Sequence, residues 1–164
     1  MTTSLVRTRH ASVDDVRRVL ALYARSSALS LERRFHAPVP HVHEQVVRQL
    51  IEPAHGWSMV AEQGDEVIGH GCAAPVSRSR VEIGLLVDDA FQGTGVGARL
   101  MRDLADSAAE RGYGAMLCSV APDNEAVPAT VRRAGLCGVP TYVDGVVEID
   151  IPLTALTSDL QRPA

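Results

Sequence analysis

There is no lysine in this chain of 164 residues: all 16 basic side chains are arginine. A nucleotide-binding P-loop, which ends in Gly-Lys-Ser/Thr, is therefore excluded, and the protein has no lysine of its own to be modified. The bias accompanies abundant Ala, Val, Gly and Pro and reads as coding composition. Cysteines are few and odd in number. Cys72, Cys118 and Cys137 lie in apolar surroundings without Cys-x-x-Cys spacing, so reduced core residues are expected. No segment approaches about 20 continuous apolar residues, the length of a spanning helix. Arg7 and Arg9 have no apolar stretch behind them, so no signal peptide is visible and a cytoplasmic location is expected, with no membrane partner. His41 and His43 lack a third ligand at suitable spacing, so no metal is expected.

What is present fits one domain over residues 1–153, followed by a tail over 154–164. A chain of this size buries roughly two-thirds of its unfolded surface without disulfides. Charge is unevenly spread. Residues 1–52 carry eight Arg against five acids, and residues 53–164 carry eight Arg against fifteen acids, for a net charge of −4. That balance disfavours a nucleic-acid partner and favours a cationic substrate such as an ammonium group.

Hydrophobic spacing then orders the chain. Leu5 to Arg9 alternates like a strand, and Ser12 with Asp15 resembles a helix-capping pair. A helix from Val13 to Arg25 would bury Val16, Val19, Leu20 and Tyr23. A second helix is expected from His41 to Ile51, broken by Pro53 and Gly56. Trp57 to Glu62 and Glu66 to Val76 read as an antiparallel hairpin around Gln63-Gly64-Asp65. A core strand runs from Arg80 to Val87, a helix from Val96 to Arg111, and a buried strand from Ala115 to Val120. Pro128 suits a first helical turn, so regular helix should begin near it. Leu136 to Val143 and Val146 to Ile151 form a closing hairpin around Asp144-Gly145.

Between the core strand and the helix that follows stands Gln92-Gly93-Thr94-Gly95-Val96-Gly97. A strand entering a glycine turn and then a helix leaves backbone N–H groups free at the helix start, where anions bind. Glycines let a phosphate touch the backbone. A Rossmann fingerprint is a poor fit, because the glycines alternate and the next strand, Ala115 to Val120, ends without an acid. The pattern Gln-x-x-Gly-x-Gly resembles motif A of the GCN5-related N-acetyltransferases, the GNAT family. Gln92, Gly95 and Gly97 hold the defining positions. Asn124 to Leu136 resembles the family's second cofactor-proximal helix, with Leu136 in place of the usual Phe.

The resemblance spans about Leu5 to Leu153 and implies a mixed α/β (α+β) fold. Its sheet would be mostly antiparallel, of about six to seven strands, flanked by about four helices. It implies acetyl-coenzyme A as cosubstrate, its pyrophosphate held by Gln92, Gly93, Thr94, Gly95, Val96, Gly97 and Ala98. Leu86 and Val87 would pair with the pantetheine amides at a point where the strand parts from its neighbour. Asn124 would bond the pantetheine or cap its helix. Ser27 to Phe35 resembles the substrate-side helices of the bacterial Pat-type protein lysine acetyltransferases, which makes a protein lysine the first acceptor to consider. A small amine or antibiotic is the alternative acceptor, and a noncatalytic acyl-CoA sensor the alternative of another class. A homodimer is common among such relatives.

Glu82 is the candidate general base. A lysine ammonium has a pKa near 10.4 and must lose a proton before it attacks. Strand alternation places Glu82 with Gly84 and Leu86 on one face, where burial in an apolar strand would favour a basic carboxylate. Pairing of Glu82 with Arg78 or Arg80 is the structural alternative. The family's usual acid is a Tyr at the position held here by Val131. Tyr142 is a remote substitute, and a thiol of pKa about 8.5 leaves tolerably without one. His70, flanked by Gly69 and Gly71, could line the cleft or be structural.

Overall fold

The computed structural model describes residues 5–153, so the expected tail at 154–164 lies outside the described residues. The elements in chain order are β1 (Arg7–His10), α1 (Val16–Arg25), α2 (Ala28–Phe35), α3 (Glu44–Ile51), β2 (Trp57–Gln63), β3 (Glu66–Pro75), β4 (Arg80–Val87), α4 (Val96–Glu110), β5 (Ala115–Val120), α5 (Ala126–Arg133), β6 (Val139–Val143) and β7 (Val146–Pro152). One seven-stranded sheet has the order β1-β2-β3-β4-β5-β7-β6. Every neighbouring pair is antiparallel except β4 and β5. This is the mixed, mostly antiparallel α/β architecture implied by the sequence. Among the described residues five α-helices flank it, α2 being the segment that periodicity left unassigned.

Each face of the sheet carries its own core. Val81 and Ile83 of β4 pack with Leu100, Met101 and Leu104 of α4, while Leu86 joins Val19, Leu22 and Tyr23 of α1 and Val47 of α3. The alternation of β4 is thus two-sided. Gly71 brings α4 close, since a Cβ there would stand 2.9 Å from Leu104 Cδ1 and 2.6 Å from Leu85 Cδ2.

Several boundaries differ from the sequence expectation for local reasons. Val13–Asp15 is a 3₁₀ turn, and α1 starts only at Val16; Leu22, not Leu20, is its fully buried leucine. α3 starts at Glu44 with His43 as its cap, because the His43 backbone is extended and His41 and Val42 lie outside the helix. α5 starts at Ala126, which places Pro128 in its first turn, where the missing N–H costs nothing. β6 begins at Val139 rather than Leu136, because Gly135, at φ 73°, turns the chain after α5 and sends Leu136 into the core.

The 3₁₀ turn that leads into α1 is tied to the sheet. The Ser12 N–H donates to the Asp15 carboxylate at 3.0 Å, and that carboxylate also accepts from Arg9 at 2.7 and 2.8 Å. Arg9 and Arg18 both reach Glu62 of β2. The Arg9 hydrogen bonds hold the Asp15 carboxyl down at about 2. Its share of stability is therefore complete above about pH 4 and is lost as pH falls through about 2.

Candidate active site

β4 and β5 are in register over only three pairs, Arg80 with Ala115, Val81 with Met116 and Glu82 with Leu117. Beyond Glu82 the strands part, and a cleft of about 520 Å³ opens between them. Leu86, Val87, Gln92, Gly93, Gly95, Gly97, Ala98, Asn124 and Glu82 line it. Two of the sequence candidates do not reach it by side chain. Val96 is buried under the sheet, and Thr94 faces an adjoining hollow while its Oγ1 donates to the Phe91 carbonyl at 2.6 Å.

The turn before α4 is pinned from several directions. Gly93 and Gly95 have φ of 74° and 98°, values that favour glycine. The Gln92 amide donates to the Val87 carbonyl at 3.2 Å and to Ser30 Oγ at 3.1 Å, which joins the turn to the end of β4 and to α2. Arg99 makes the first in-helix bond, to the Gly95 carbonyl at 3.0 Å, so the N–H groups of Val96, Gly97 and Ala98 precede the ladder and are free for an anion. The sequence reading missed two further parts. Arg133 of α5 donates to the Gly93 carbonyl at 3.0 Å and brings a cation to the glycine turn. Asp89, read only as a turn residue, accepts from Ser27 N–H at 2.8 Å and Ser30 Oγ at 2.7 Å and fastens the start of α2 to this loop.

The open edge of β4 has a definite parity. The Asp88 N–H bonds the Ile68 carbonyl at 2.9 Å, and the register continues through His70 with Leu86 and Cys72 with Gly84. In an antiparallel ladder, alternate residues bond the same neighbour. Leu86 therefore turns its backbone to β3, and Leu85 and Val87 turn theirs to the cleft. Asn124 also faces the cleft. It is buried, and its Oδ1 has no hydrogen-bond partner, while Glu125 stands at the N-cap of α5. An orphaned buried acceptor beside free strand N–H groups and a free helix start fits an extended ligand that carries amides at one end and phosphates at the other.

Glu82 is exposed on the cleft wall rather than desolvated in the core. Its Oε1 accepts from Ser119 Oγ of β5 at 3.1 Å; Arg80 instead pairs with Asp150, so the structural alternative for Glu82 is not realised with Arg80. Two residues along the same face lies Gly84, covered by the Arg34 guanidinium of α2. Arg34 also donates to Cys72 Sγ at 3.0 Å and stacks over Phe35 at 5.4 Å. Burial opposes its charge, yet the Tyr23 hydroxyl and the Cys72 thiol beside it keep its pKa above the ordinary value.

His70 does not line the cleft. It is fully buried, its Nδ1 lies 3.2 Å from the Tyr23 hydroxyl, and burial lowers its pKa to about 3. It is neutral when folded, whereas in the unfolded chain it takes up a proton below about pH 6.5. Lowering the pH from 6.5 to 4.5 is therefore expected to reduce the unfolding free energy in urea by about 2 kcal/mol more than in a His70→Gln protein. Equal pH dependence in the two proteins would remove His70 from the buried neutral state.

The cysteines divide. Cys118 is buried, which pushes its thiol up to about 12; Cys72 is half-buried against Arg34; and Cys137 is exposed, contrary to the expectation of three core residues. Tyr142 is 68% exposed on β6, outside the cleft, so the remote substitute acid is not in reach. His41 and His43 meet, with Nε2 atoms 3.1 Å apart, and among the described residues no third ligating side chain joins them. No helix of the described residues is long and apolar enough to cross a membrane.

The sequence pattern of the Acetyltransferase (GNAT) family matches residues 20–136. Among solved structures, the GNAT domain of S. lividans PAT is similar to this chain at 28% identity and TM-score 0.80, over 90% of each chain. The ribosomal-protein-alanine N-acetyltransferase of Brucella melitensis is 21% identical, TM-score 0.70, over 89% of this chain and 98% of its own. The Salmonella typhimurium protein yncA, solved with its cofactor acetyl-CoA, is 19% identical, TM-score 0.64, over 90% and 92%. Those two likenesses show the fold. No curated protein gives a significant sequence match.

Proposed function

Since the chain belongs to the Acetyltransferase (GNAT) family and is an N-acetyltransferase, we propose that it moves the acetyl group of acetyl-CoA directly to an amine with Glu82 as general base. The observation that carries this reading is the parting of β4 from β5 immediately after Glu82. It puts a carboxylate, an open strand edge and the glycine turn along one cleft.

In this reading the pyrophosphate of the cosubstrate lies on the N–H groups of Val96, Gly97 and Ala98, with the α4 dipole behind them and Arg133 beside them. The backbones of Leu85 and Val87 pair with the pantetheine amides, and Asn124 Oδ1 accepts from one of them. An open β4 N–H stabilises charge that develops on the thioester oxygen. Glu82, oriented by Ser119, takes the proton of the acceptor ammonium, directly or through a water. The amine then attacks the carbonyl carbon, the C–S bond breaks with its electron pair left on the CoA sulfur, and the surplus proton of the new amide nitrogen passes to that thiolate or to water. Among the described residues no tyrosine lines the cleft, and a thiolate whose thiol has a pKa of about 8.5 is a tolerable leaving group.

A protein lysine is the acceptor proposed first, supported by the resemblance of Ser27 to Phe35 to the Pat type. A cytoplasmic setting belongs to the same reading. The test is release of free CoA from acetyl-CoA with a thiol-reactive dye, using a lysine-bearing protein extract, amino acids and polyamines as parallel acceptors. The exposed Cys137 adds only a stoichiometric background. Turnover with protein alone supports the lysine acceptor, and turnover with a small amine replaces it. No release with any acceptor, with acetyl-CoA still bound, overturns the catalytic reading.

A further inference from the structure

At the end of the cleft away from the glycine turn, two arginines of α2, Arg33 and Arg34, line the wall. Among the described residues neither has a carboxylate within ion-pair distance. The other arginines near the site are engaged: Arg25 with Asp88, and Arg133 with the Gly93 carbonyl. Arg34 is the more confined of the pair. Its Nε is buried without a hydrogen-bond partner, its Nη2 donates to Cys72 Sγ, and the Tyr23 hydroxyl stands beside it, but neither of these neighbours is a carboxylate. A cation held in a low-dielectric pocket without a counter-charge is costly, and proteins resolve this with an anion in matching geometry.

Room is kept for that cation. A Cβ at Gly84 would stand 2.6 Å from Arg34 Nη1, so glycine at this strand position lets the guanidinium lie flat on β4. Glu82 is two residues away on the same face, about 7 Å along the strand, yet it turns to Ser119 and not to Arg34. The base and the unpaired cation therefore stand side by side without neutralising each other. The phosphate-holding turn is not the partner either. Ser30 bonds Gln92 of that turn, and Arg34 lies one helical turn further along α2.

We propose that Arg34 is a specificity residue that binds a carboxylate carried by the acceptor a few ångströms from its reactive amine. The inference rests on the acetyl-transfer reading above. It separates amine acceptors by a second group: an amine presented next to a carboxylate is favoured, and a bare polycation is disfavoured. The guanidinium fork suits a carboxylate with two parallel N–H donors. Two sources share this chemistry, the carboxylate of a free amino acid and an acidic residue flanking a lysine in a peptide.

Matched acceptors decide it. L-lysine is compared with cadaverine, which lacks only the carboxylate, and a lysine peptide flanked by glutamate is compared with the same peptide flanked by glutamine. Wild type is expected to favour the carboxylate member of at least one pair by about 10- to 100-fold in kcat/KM, and the pair that responds identifies the source. Arg34→Gln brings the ratio towards about 1, and Arg34→Lys, which keeps the charge without the fork, gives an intermediate value. The CoA-induced shift in Tm checks that each variant is folded. No preference in wild type for either pair, or a preference that survives Arg34→Gln, overturns the proposal. Stabilisation by the same acceptors with CoA bound is measured in parallel. If no acceptor yields free CoA, the acetyl-transfer reading fails. The carboxylate site is then judged by whether the carboxylate member alone raises Tm, and does so only while Arg34 is present.

Discussion

Glu82→Gln is expected to lower kcat by about 10²- to 10⁴-fold while the affinity for acetyl-CoA stays within about twofold of wild type. An ammonium of pKa near 10.4 leaves well under a thousandth of the acceptor free at pH 7. A group that removes the proton at the site therefore governs the rate. Glutamine preserves the size of Glu82 and can still meet Ser119 Oγ, which now lies 3.1 Å from the carboxylate, but it cannot take a proton. The side chain is exposed on the cleft wall, so the substitution leaves the core intact. The residual rate of the variant should rise close to tenfold per pH unit below the amine pKa, because free amine from bulk solvent becomes the only supply. A full pH profile of kcat/KM for both proteins checks this. Equal rates at neutral pH would remove Glu82 from the role of base.

Gly97→Glu is expected to raise the KM for acetyl-CoA by more than about 100-fold without weakening the fold. The two halves of that expectation come from different neighbours. On the protein side there is space, because the nearest atoms to a Cβ at Gly97 would be Val87 Cγ2 at 3.5 Å and Thr130 Cγ2 at 3.6 Å, both ordinary contacts. A carboxylate in the first turn of α4 interacts favourably with the helix dipole, worth about 0.3–1 kcal/mol. On the ligand side the same carboxylate occupies the place of the pyrophosphate and repels it. The protein should thus melt at or above the wild-type temperature and lose its stabilisation by acetyl-CoA. Thermal melts with and without the cosubstrate, beside the KM measurement, check the prediction. An unchanged KM would move the phosphates away from the start of α4.

The glycine turn and β4 were legible in the sequence because both are local. Gln92 to Gly97 encode a turn and a helix start within six residues, and the two-residue period of Val81 to Val87 assigns faces without knowledge of partners. Glu82 could be picked out as a charge on that strand, but not its surroundings. Ser119, which leaves it solvated and oriented, is 37 residues away. Arg133, Asp89 and Arg34 escaped for the same reason. Each looks like an ordinary surface residue until α5, the Asp88-Asp89 turn and α2 are brought against the cleft, across separations of 40, 62 and 38 residues. Leu86 shows the finer limit. Periodicity gives side-chain faces, but which backbone edge is free depends on the pairing phase with β3, here fixed by the bond from Asp88 to Ile68.

The three-pair junction between β4 and β5 also has a mechanical meaning. Four strands stand on one side of it and three on the other, and past Glu82 the two parts are bridged by α4 rather than by a continuous ladder. A ligand that lays its amides along the edge of β4 completes the missing rungs and serves as a strut across the gap. Loading at a hundred times the dissociation constant would add about 2.7 kcal/mol to the stability of the whole domain. In the proposed reading the rigidity of this sheet is thus set partly by the metabolic supply of a small molecule, and the chain alone encodes a structure with one seam left unstitched.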